Sequence, residues 1–238
     1  MALTNAALTH PGHVRKNNED AFLVRPLEQG AGCLAAVADG AGGEAAGEVA
    51  SAMAIEVLAQ FNAHAQGMEA HLAQLVAEAH QAILHAARET PRLDGMGSTL
   101  TVFLVRQGHM FWAHVGDSRL YLFSRGELLR LTPDHTVAGA LLAQGDIDEE
   151  RARTHPMRNY LLQCLGCPKC EPESGVAEVA EGDIVMACSD GLHGELTDPV
   201  LAAVLAGPEP LQRKVQALMD QALDAGGSDN VTLVAVEI

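Results

Sequence analysis

Acidic residues in this chain collect in a few places that a solvated surface does not explain. Two apolar runs end alike: Cys33–Ala38 leads into Asp39-Gly40, and Ile184–Ser189 leads into Asp190-Gly191. A third, Phe111–Val115, ends in Gly116-Asp117-Ser118-Arg119, while Ser228-Asp229-Asn230 precedes the last apolar run and Asn18-Glu19-Asp20 an early one. Apolar runs bounded by turn residues read as strands, so each carboxylate stands at the mouth of a strand, where side chains from one end of a sheet can converge. Mg²⁺ and Mn²⁺ are hard ions that want about six oxygen ligands and usually keep several waters. A handful of carboxylates, one of them bridging, can hold two such ions about 3.5–4 Å apart and turn a shared water into a nucleophile near neutral pH. Asp-Gly is also a common hairpin turn, and any one site alone reads that way. The residues after Asp39-Gly40 and Asp190-Gly191 read as helical or loop-like with no return strand, which favours ligands over turns.

Periodicity shows which elements carry these residues. Apolar residues recur at helical spacing over Glu44–Phe61 (Val49, Met53, Val57, Phe61), Met68–Ala86 (Met68, Leu72, Leu75, Ala79, Ile83, Ala86) and Leu211–Leu223 (Leu211, Val215, Leu218, Ala222). A fourth helix is expected over Val200–Leu205, capped by Thr197 or Asp198 with Pro199 at its first position. Strands are expected near Ala21–Val24, Cys33–Ala38, Thr99–Val105, Met110–Val115, Leu120–Phe123, Ile184–Ala187 and Val231–Val236. Successive strands without helices between Thr99 and Leu131 imply antiparallel meanders, and the whole set implies sheets covered by helices. Residues 132–173 differ: polar, with Gly, Pro and His scattered through them, they read as a small irregular insertion.

Bulk properties narrow the function. Hydrophobic residues make up 48% of the 238, enough for a core, and only 3% are aromatic, so Ala, Leu and Val do the packing. The formal charge of −16, from 31 acidic against 15 basic residues, is opposite to that of a protein binding nucleic acid or an anionic membrane. Bound cations would offset part of it. No apolar stretch approaches the roughly 18 residues needed to span a bilayer, and Met1–His10 lacks the pattern of a signal peptide. Five cysteines, an odd count, do not read as a secreted disulfide framework. A cytoplasmic monomer is the expectation.

Taken in order, Gly12-His13-Val14-Arg15-Lys16-Asn17-Asn18-Glu19-Asp20, Val37-Ala38-Asp39-Gly40-Ala41-Gly42-Gly43, Gly97-Ser98-Thr99-Leu100, Val115-Gly116-Asp117-Ser118-Arg119, Leu131-Thr132-Pro133-Asp134-His135, Ser189-Asp190-Gly191-Leu192 and Asp229-Asn230-Val231-Thr232 resemble the bacterial PPM (type 2C) metal-dependent serine/threonine phosphatases. The resemblance covers nearly the whole chain. It implies an α+β fold: a single domain over 1–238, a four-layer α-β-β-α sandwich of two antiparallel sheets flanked by helices, with a flap subdomain at about 132–173. It implies two Mn²⁺ or Mg²⁺ ions. Asp39 would bridge them, Glu19 and the Gly40 carbonyl would serve one, Asp190 and Asp229 the other, and Asp20 would steady the ligands through water. Asp117 matches the residue that, with Asp190, holds a looser third ion. Arg15 matches the phosphate-binding arginine, whose planar fork gives a phosphate two parallel charge-assisted hydrogen bonds. The resemblance thus implies Arg15 and Asp39 as the catalytic pair, which would act on phosphoprotein substrates made by a cognate serine/threonine kinase.

The chain departs from that pattern in two places. Where many relatives carry a histidine beside the Asp-Gly or Gly-Gly pair, this chain has Ala41 and Glu44. The proton donor to the leaving oxygen then falls to metal-bound water first, with Glu44 or His13 as alternatives. Cys164-Leu-Gly-Cys167-Pro-Lys-Cys170 is the other departure. Free thiols in a cysteine-rich turn are the preferred reading, against a zinc site completed by His155, an iron–sulfur run with Ser174 in the fourth place, or a redox-sensitive pair. Cys33 and Cys188 read as core, and His64, His71, His80 and His85 as helix-surface residues without a role. A catalytically silent, phosphoprotein-binding module is the competing function; it would have lost a metal ligand, and Glu19, Asp39, Asp190 and Asp229 are all present.

Overall fold

The computed structural model describes residues 3–30, 32–42 and 46–238. The strands are β1 (Thr4–His10), β2 (Asp20–Pro26), β3 (Cys33–Ala41), β4 (Gly97–Ser98), β5 (Leu100–Arg106), β6 (His109–Val115), β7 (Arg119–Ser124), β8 (Glu127–Arg130), β9 (Glu173–Glu178), β10 (Ile184–Cys188) and β11 (Val231–Glu237). The helices are α1 (Ala46–Leu58), α2 (Met68–Glu89), α3 (Val137–Gln144), α4 (Glu149–Thr154), the single turn α5 (Asp190–His193), α6 (Asp198–Leu205) and α7 (Leu211–Ala225). One antiparallel sheet runs β1-β11-β10-β7-β8 and the other β2-β3-β5-β6-β9, with β4 beside the end of β3. The stretch from Thr99 to Leu131 is therefore not one continuous meander. It is two hairpins in different sheets, and the chain crosses between them at Gly116-Asp117-Ser118.

Alternation along each central strand produces the layers. Cys33, Ala35 and Val37 of β3 meet Val185 and Ala187 of β10 and Val234 and Val236 of β11 between the sheets. Their neighbours Leu34, Ala36 and Ala38 face α1 and α2, while Met186, Cys188, Leu233 and Ala235 face α6 and α7. Strands buried on both faces need apolar residues at consecutive positions, which is why they show as unbroken runs in the sequence. The result is the four-layer α-β-β-α sandwich expected.

The helices match their periodicity with one shift. In α1 the buried residues are Ala46, Gly47, Ala50, Ser51, Ala54 and Leu58, whereas Val49, Met53 and Val57 are only partly buried. The small face lies on the sheet because Gly40 and Gly47 approach so closely that a Cβ on either would overlap the other's backbone. The expected start of α1 at Glu44 lies outside the described residues. His64 falls in the loop after α1, and His71 and His80 have structural partners: His71 stacks on Phe61, and His80 Nδ1 accepts from Gly166 N at 3.0 Å.

Residues 132–173 are less irregular than their composition implies. Thr136 caps α3 by accepting from Gly139 N at 3.0 Å, Gly145 ends it in the left-handed region at φ 78°, and Asp148 caps α4 by accepting from Arg151 N at 2.9 Å. An isolated bridge between Thr136 and Leu161 closes this segment on itself, and another joins Leu165 to Ser98 of β4. Among the described residues no helix is long and apolar enough to cross a membrane.

Beneath the segment lies a buried polar layer that the sequence does not reveal. Arg119 donates from Nε and Nη2 to the two oxygens of Asp134, at 2.9 and 2.7 Å. His114 donates from Nε2 to Pro133 O at 3.0 Å and bonds Thr101 Oγ1 through Nδ1 at 2.8 Å. Burial, followed by the neighbouring His135, lowers the His114 pKa to about 3. Because the folded value lies below the unfolded one, the unfolded chain takes up the proton first, so stability falls as pH drops below about 6.5 and the loss levels off near the folded value. Urea unfolding from pH 7 to 4.5 should show His114→Asn losing about 3 kcal/mol less than wild type over that range; parallel profiles would contradict this.

Candidate active site

Antiparallel pairing brings the acids to one end of both sheets. Asp20, opening β2, stands opposite Asp39 near the end of β3. Strand β6 arrives there and continues into Asp117, β10 arrives and continues into Asp190, and β11 departs just after Asp229. Their side chains share a cleft of about 490 Å³ whose wall includes Arg15, Glu19, Asp39, Asp117, Asp190 and Asp229. Glu19, Asp39, Asp117, Asp190 and Asp229, the acids expected to hold cations, line it, while Asp20, expected to act on them through water, is not part of its lining.

Backbone hydrogen bonds, more than opposite charges, hold these residues in position. Asp39 N donates to Thr99 Oγ1 at 3.0 Å, and Asp39 O accepts from Thr99 N at 2.8 Å and Ser98 Oγ at 3.0 Å. Asn230 Oδ1 accepts from Glu19 N at 2.8 Å while its Nδ2 donates to Pro11 O and Asn17 O, both at 2.9 Å. Ser189 Oγ donates to Asp20 Oδ2 at 2.8 Å. His193 Nε2 donates to Asp117 O at 2.9 Å. Gly116, at φ 111°, makes the crossover before Asp117, and a Cβ there would meet the Thr99 side chain. From the segment that follows α4, Asn159 Nδ2 donates to Asp190 Oδ2 at 3.2 Å. Sequence alone assigns no role to Thr99, Ser98, Asn159, Asn230 or His193. Only the spacing of Gly97-Ser98-Thr99 and Asp229-Asn230 within their motifs signals any of them.

The electrostatics are those of crowded acids. Burial first, then repulsion from Asp20, Asp190, Asp117 and Asp229, holds Asp39 well above the usual carboxylate range. Asp117 is raised in the same way by burial and by Asp190. Burial and the neighbouring acids Asp190 and Asp229 push Asp20 up to about 7, against the hydrogen bond from Ser189, and burial and Asp229 push Asp190 to about 6. Arg15, at the rim, donates from Nη2 to Asp229 Oδ2 at 2.6 Å, and that bond raises its own pKa. One buried oxygen, Asp20 Oδ1, has no hydrogen-bond partner.

Oxygen-only donors, mutual repulsion and an orphaned buried carboxylate oxygen together fit hard divalent cations. Among the described residues no three acidic, histidine or cysteine side chains already surround a single point closely enough to hold an ion; the carboxylates face a common cleft without closing a shell. The same holds for the cysteine loop, where the residues of the zinc alternative are engaged otherwise. His155 ends α4 with Nδ1 accepting from Met157 N at 3.1 Å, Ser174 Oγ donates to Glu69, and Cys164 and Cys167 are joined to each other as a disulfide. The preferred reading of three free thiols is corrected accordingly. Cys33 and Cys188 are buried as expected. Of the proton-donor alternatives, Glu44 lies outside the described residues. His13 packs on Gly227 and His10, and among the described residues no histidine lines the cleft.

Protein phosphatase 2C sequences match residues 11–230, which takes in every acid of the cleft. The chain belongs to the protein phosphatase 2C family. It is 38% identical over its whole length to the serine/threonine protein phosphatase PstP of Mycobacterium tuberculosis, of which it spans 45%. It is 34% identical to the serine/threonine phosphatase stp of Listeria monocytogenes, with 96% of this chain and 93% of that one covered. The crystal structure of the PstP catalytic domain in complex with two manganese ions superposes with a TM-score of 0.87 at 36% identity, covering 99% and 97% of the two chains. The chain thus spans about half the length of the full PstP protein but nearly all of its catalytic domain.

Within this family frame Asn230 is the residue that ties Glu19 to the β11 side of the cleft. Asn230→Ala would leave one backbone N–H and two carbonyls without their partner, and is expected to lower stability by roughly 2–3 kcal/mol. Urea unfolding of the variant checks this, and an unchanged midpoint would show that the bridge is dispensable.

Proposed function

We propose that this chain hydrolyses phosphoserine and phosphothreonine in proteins, opposing a serine/threonine kinase, with two divalent cations (Mn²⁺ or Mg²⁺) and a third held more loosely. The observation that carries this reading is the convergence of Glu19, Asp39, Asp190 and Asp229 from both sheets on one cleft with Arg15 at its rim. Asp39 is assigned to both ions, Glu19 and the Gly40 carbonyl to one, Asp190 and Asp229 to the other, and Asp117 with Asp190 to the third. Bound there, the cations supply Lewis acidity toward a phosphoryl oxygen and make a water acidic enough to attack at neutral pH.

The remaining work belongs to side chains of this protein. Arg15 is more than half exposed at the cleft mouth and already engages an anionic oxygen of Asp229; a dianionic phosphate offers its fork a second, better-matched acceptor. Lys16, which also lines the cleft, adds positive charge on the entry side. Asn159 orients Asp190 from the flap, and Thr99 and Ser98 keep Asp39 from shifting as charge develops. Asp20 is a positioning residue, reaching the cleft through its unpartnered oxygen and water. With Ala41 in place of a histidine, the leaving serine or threonine oxygen takes its proton from water. Residues 132–173 act as the flap subdomain of a single domain, and a cytoplasmic, monomeric protein completes the reading.

With Mn²⁺ present, hydrolysis of a phosphothreonine peptide should be abolished by EDTA and reduced ~10²-fold or more in kcat by Asp39→Asn. Equal inertness of wild type and Asp39→Asn at saturating Mn²⁺ would instead mark a silent, phosphoprotein-binding member. Arg15→Lys keeps the charge but loses the planar fork, and is expected to raise KM for the peptide about tenfold or more. Unchanged steady-state constants in that variant would remove Arg15 from phosphate binding.

A further inference from the structure

Cys164, Cys167 and Cys170 lie outside the cleft, where the chain returns from the flap helices toward β9, and the hydrolysis uses none of them. Cys164 and Cys167 form a disulfide between residues three apart, while Cys170 is a half-buried free thiol. A bridge this short constrains the unfolded chain least, so it is poorly suited to be a stabilising staple. Cys-x-x-Cys is also a spacing that lowers thiol pKa values and favours exchange. The two sulfurs are unequally placed. Cys164 is 2% exposed, its Sγ against the Gly97 backbone where a Cβ would come within 3.0 Å of it, whereas Cys167 is only partly covered.

We propose that Cys164–Cys167 is a thiol–disulfide exchange site that accepts electrons from a dithiol reductant, and that its state is transmitted to the cleft. A thiolate of the reductant attacks the reachable Cys167 Sγ, forming a mixed disulfide and expelling Cys164 as a thiolate that is then protonated. The reductant's second thiolate attacks its own sulfur in the mixed disulfide, releasing Cys167, which is protonated in turn. Two electrons and two protons pass to the cysteine pair, and the reductant leaves as a disulfide. Cys170 does not supply the attack, because burial pushes its thiol up to about 11 and leaves it protonated at neutral pH.

The path to the cleft is short. Leu165, next to Cys164, pairs with Ser98 in both directions: Ser98 N donates to Leu165 O at 3.1 Å and Leu165 N to Ser98 O at 2.8 Å. Ser98 Oγ in turn donates to Asp39 O at 3.0 Å. Once the bond is cleaved the two sulfurs must part to ordinary van der Waals contact. Cys164 has no room beside Gly97, so Leu165 gives way and its bridge to Ser98 loosens. This link rests on the assignment of Asp39 to the cations; the exchange chemistry does not.

The test treats the folded protein with oxidised glutathione, then with a dithiol reductant, alkylates it with iodoacetamide at each stage and maps labelled peptides by mass. Before reduction, labelling after unfolding should mark only Cys33, Cys170 and Cys188. After reduction of the folded protein Cys164 and Cys167 should label as well, with Cys33 and Cys188 still protected. A pair that does not form with oxidised glutathione, or that resists the dithiol until the chain unfolds, overturns the proposal. Amide hydrogen exchange at Ser98 should quicken about tenfold on reduction, the scale of one lost hydrogen bond, and Cys167→Ser should show the faster rate with or without reductant. An unchanged Ser98 rate overturns the link to the cleft. Neither readout requires turnover, so neither depends on whether the phosphatase reading survives.

Discussion

Like charges held close together in a low-dielectric site are the constraint on which this structure turns. Asp20, Asp39, Asp117 and Asp190 crowd together at one end of the sheets, Asp117 buried and the other three partly covered, while Arg15 pairs with Asp229 beside them. Burying even one ionised carboxylate without a partner costs several kcal/mol, so a fold that gathers several must immobilise them by something other than attraction. Here the immobilising groups are neutral: hydroxyls of Ser98, Thr99 and Ser189, the amide of Asn230 and the imidazole of His193. Nearly all of them grip backbone atoms of the acidic segments. The carboxylate oxygens are thereby left oriented and electrostatically unsatisfied, which gives the cluster a strong preference for cations of high charge density.

Two sheets packed face to face, with strand ends of both at the cleft, supply the geometry. A single antiparallel sheet offers alternate strand ends along one edge; two sheets packed face to face double the number that can aim at one point. The close approach of Gly40 to Gly47 lets α1 lie against the end of β3 with its small residues inward. Bulk at either glycine would push the helix away from Gly40 and Glu19.

The central strands and the three long helices were legible because burial on both faces, or on one helical stripe, leaves a long compositional record. The edges were not. β1, β8 and β9 are short, mixed or polar, as edge strands commonly are, and Thr4–His10 or Glu173–Glu178 carry no apolar run. Helices α3 and α4 are too short for periodicity to register. The acids of the cleft could be read because each sits beside a glycine or at a run's end. The groups that hold them could not, since Asn230 acts on Glu19 across 211 positions and Ser189 on Asp20 across 169. Such partnerships exist only once the chain has folded. The cysteine loop was singled out for its spacing, but spacing cannot decide between metal, free thiol and disulfide.

The bridge from Thr136 to Leu161 bears on how such a protein can change over evolutionary time. Two helices with their own caps, closed on themselves at that bridge, can lengthen, shorten or change surface without moving the strand ends beneath. Drift is then channelled into the part of the molecule that overhangs the cleft, while the acids stay under selection for position. A lineage could diversify which polypeptides it admits and keep one chemical core, through insertions and replacements confined to a single loop-bounded module.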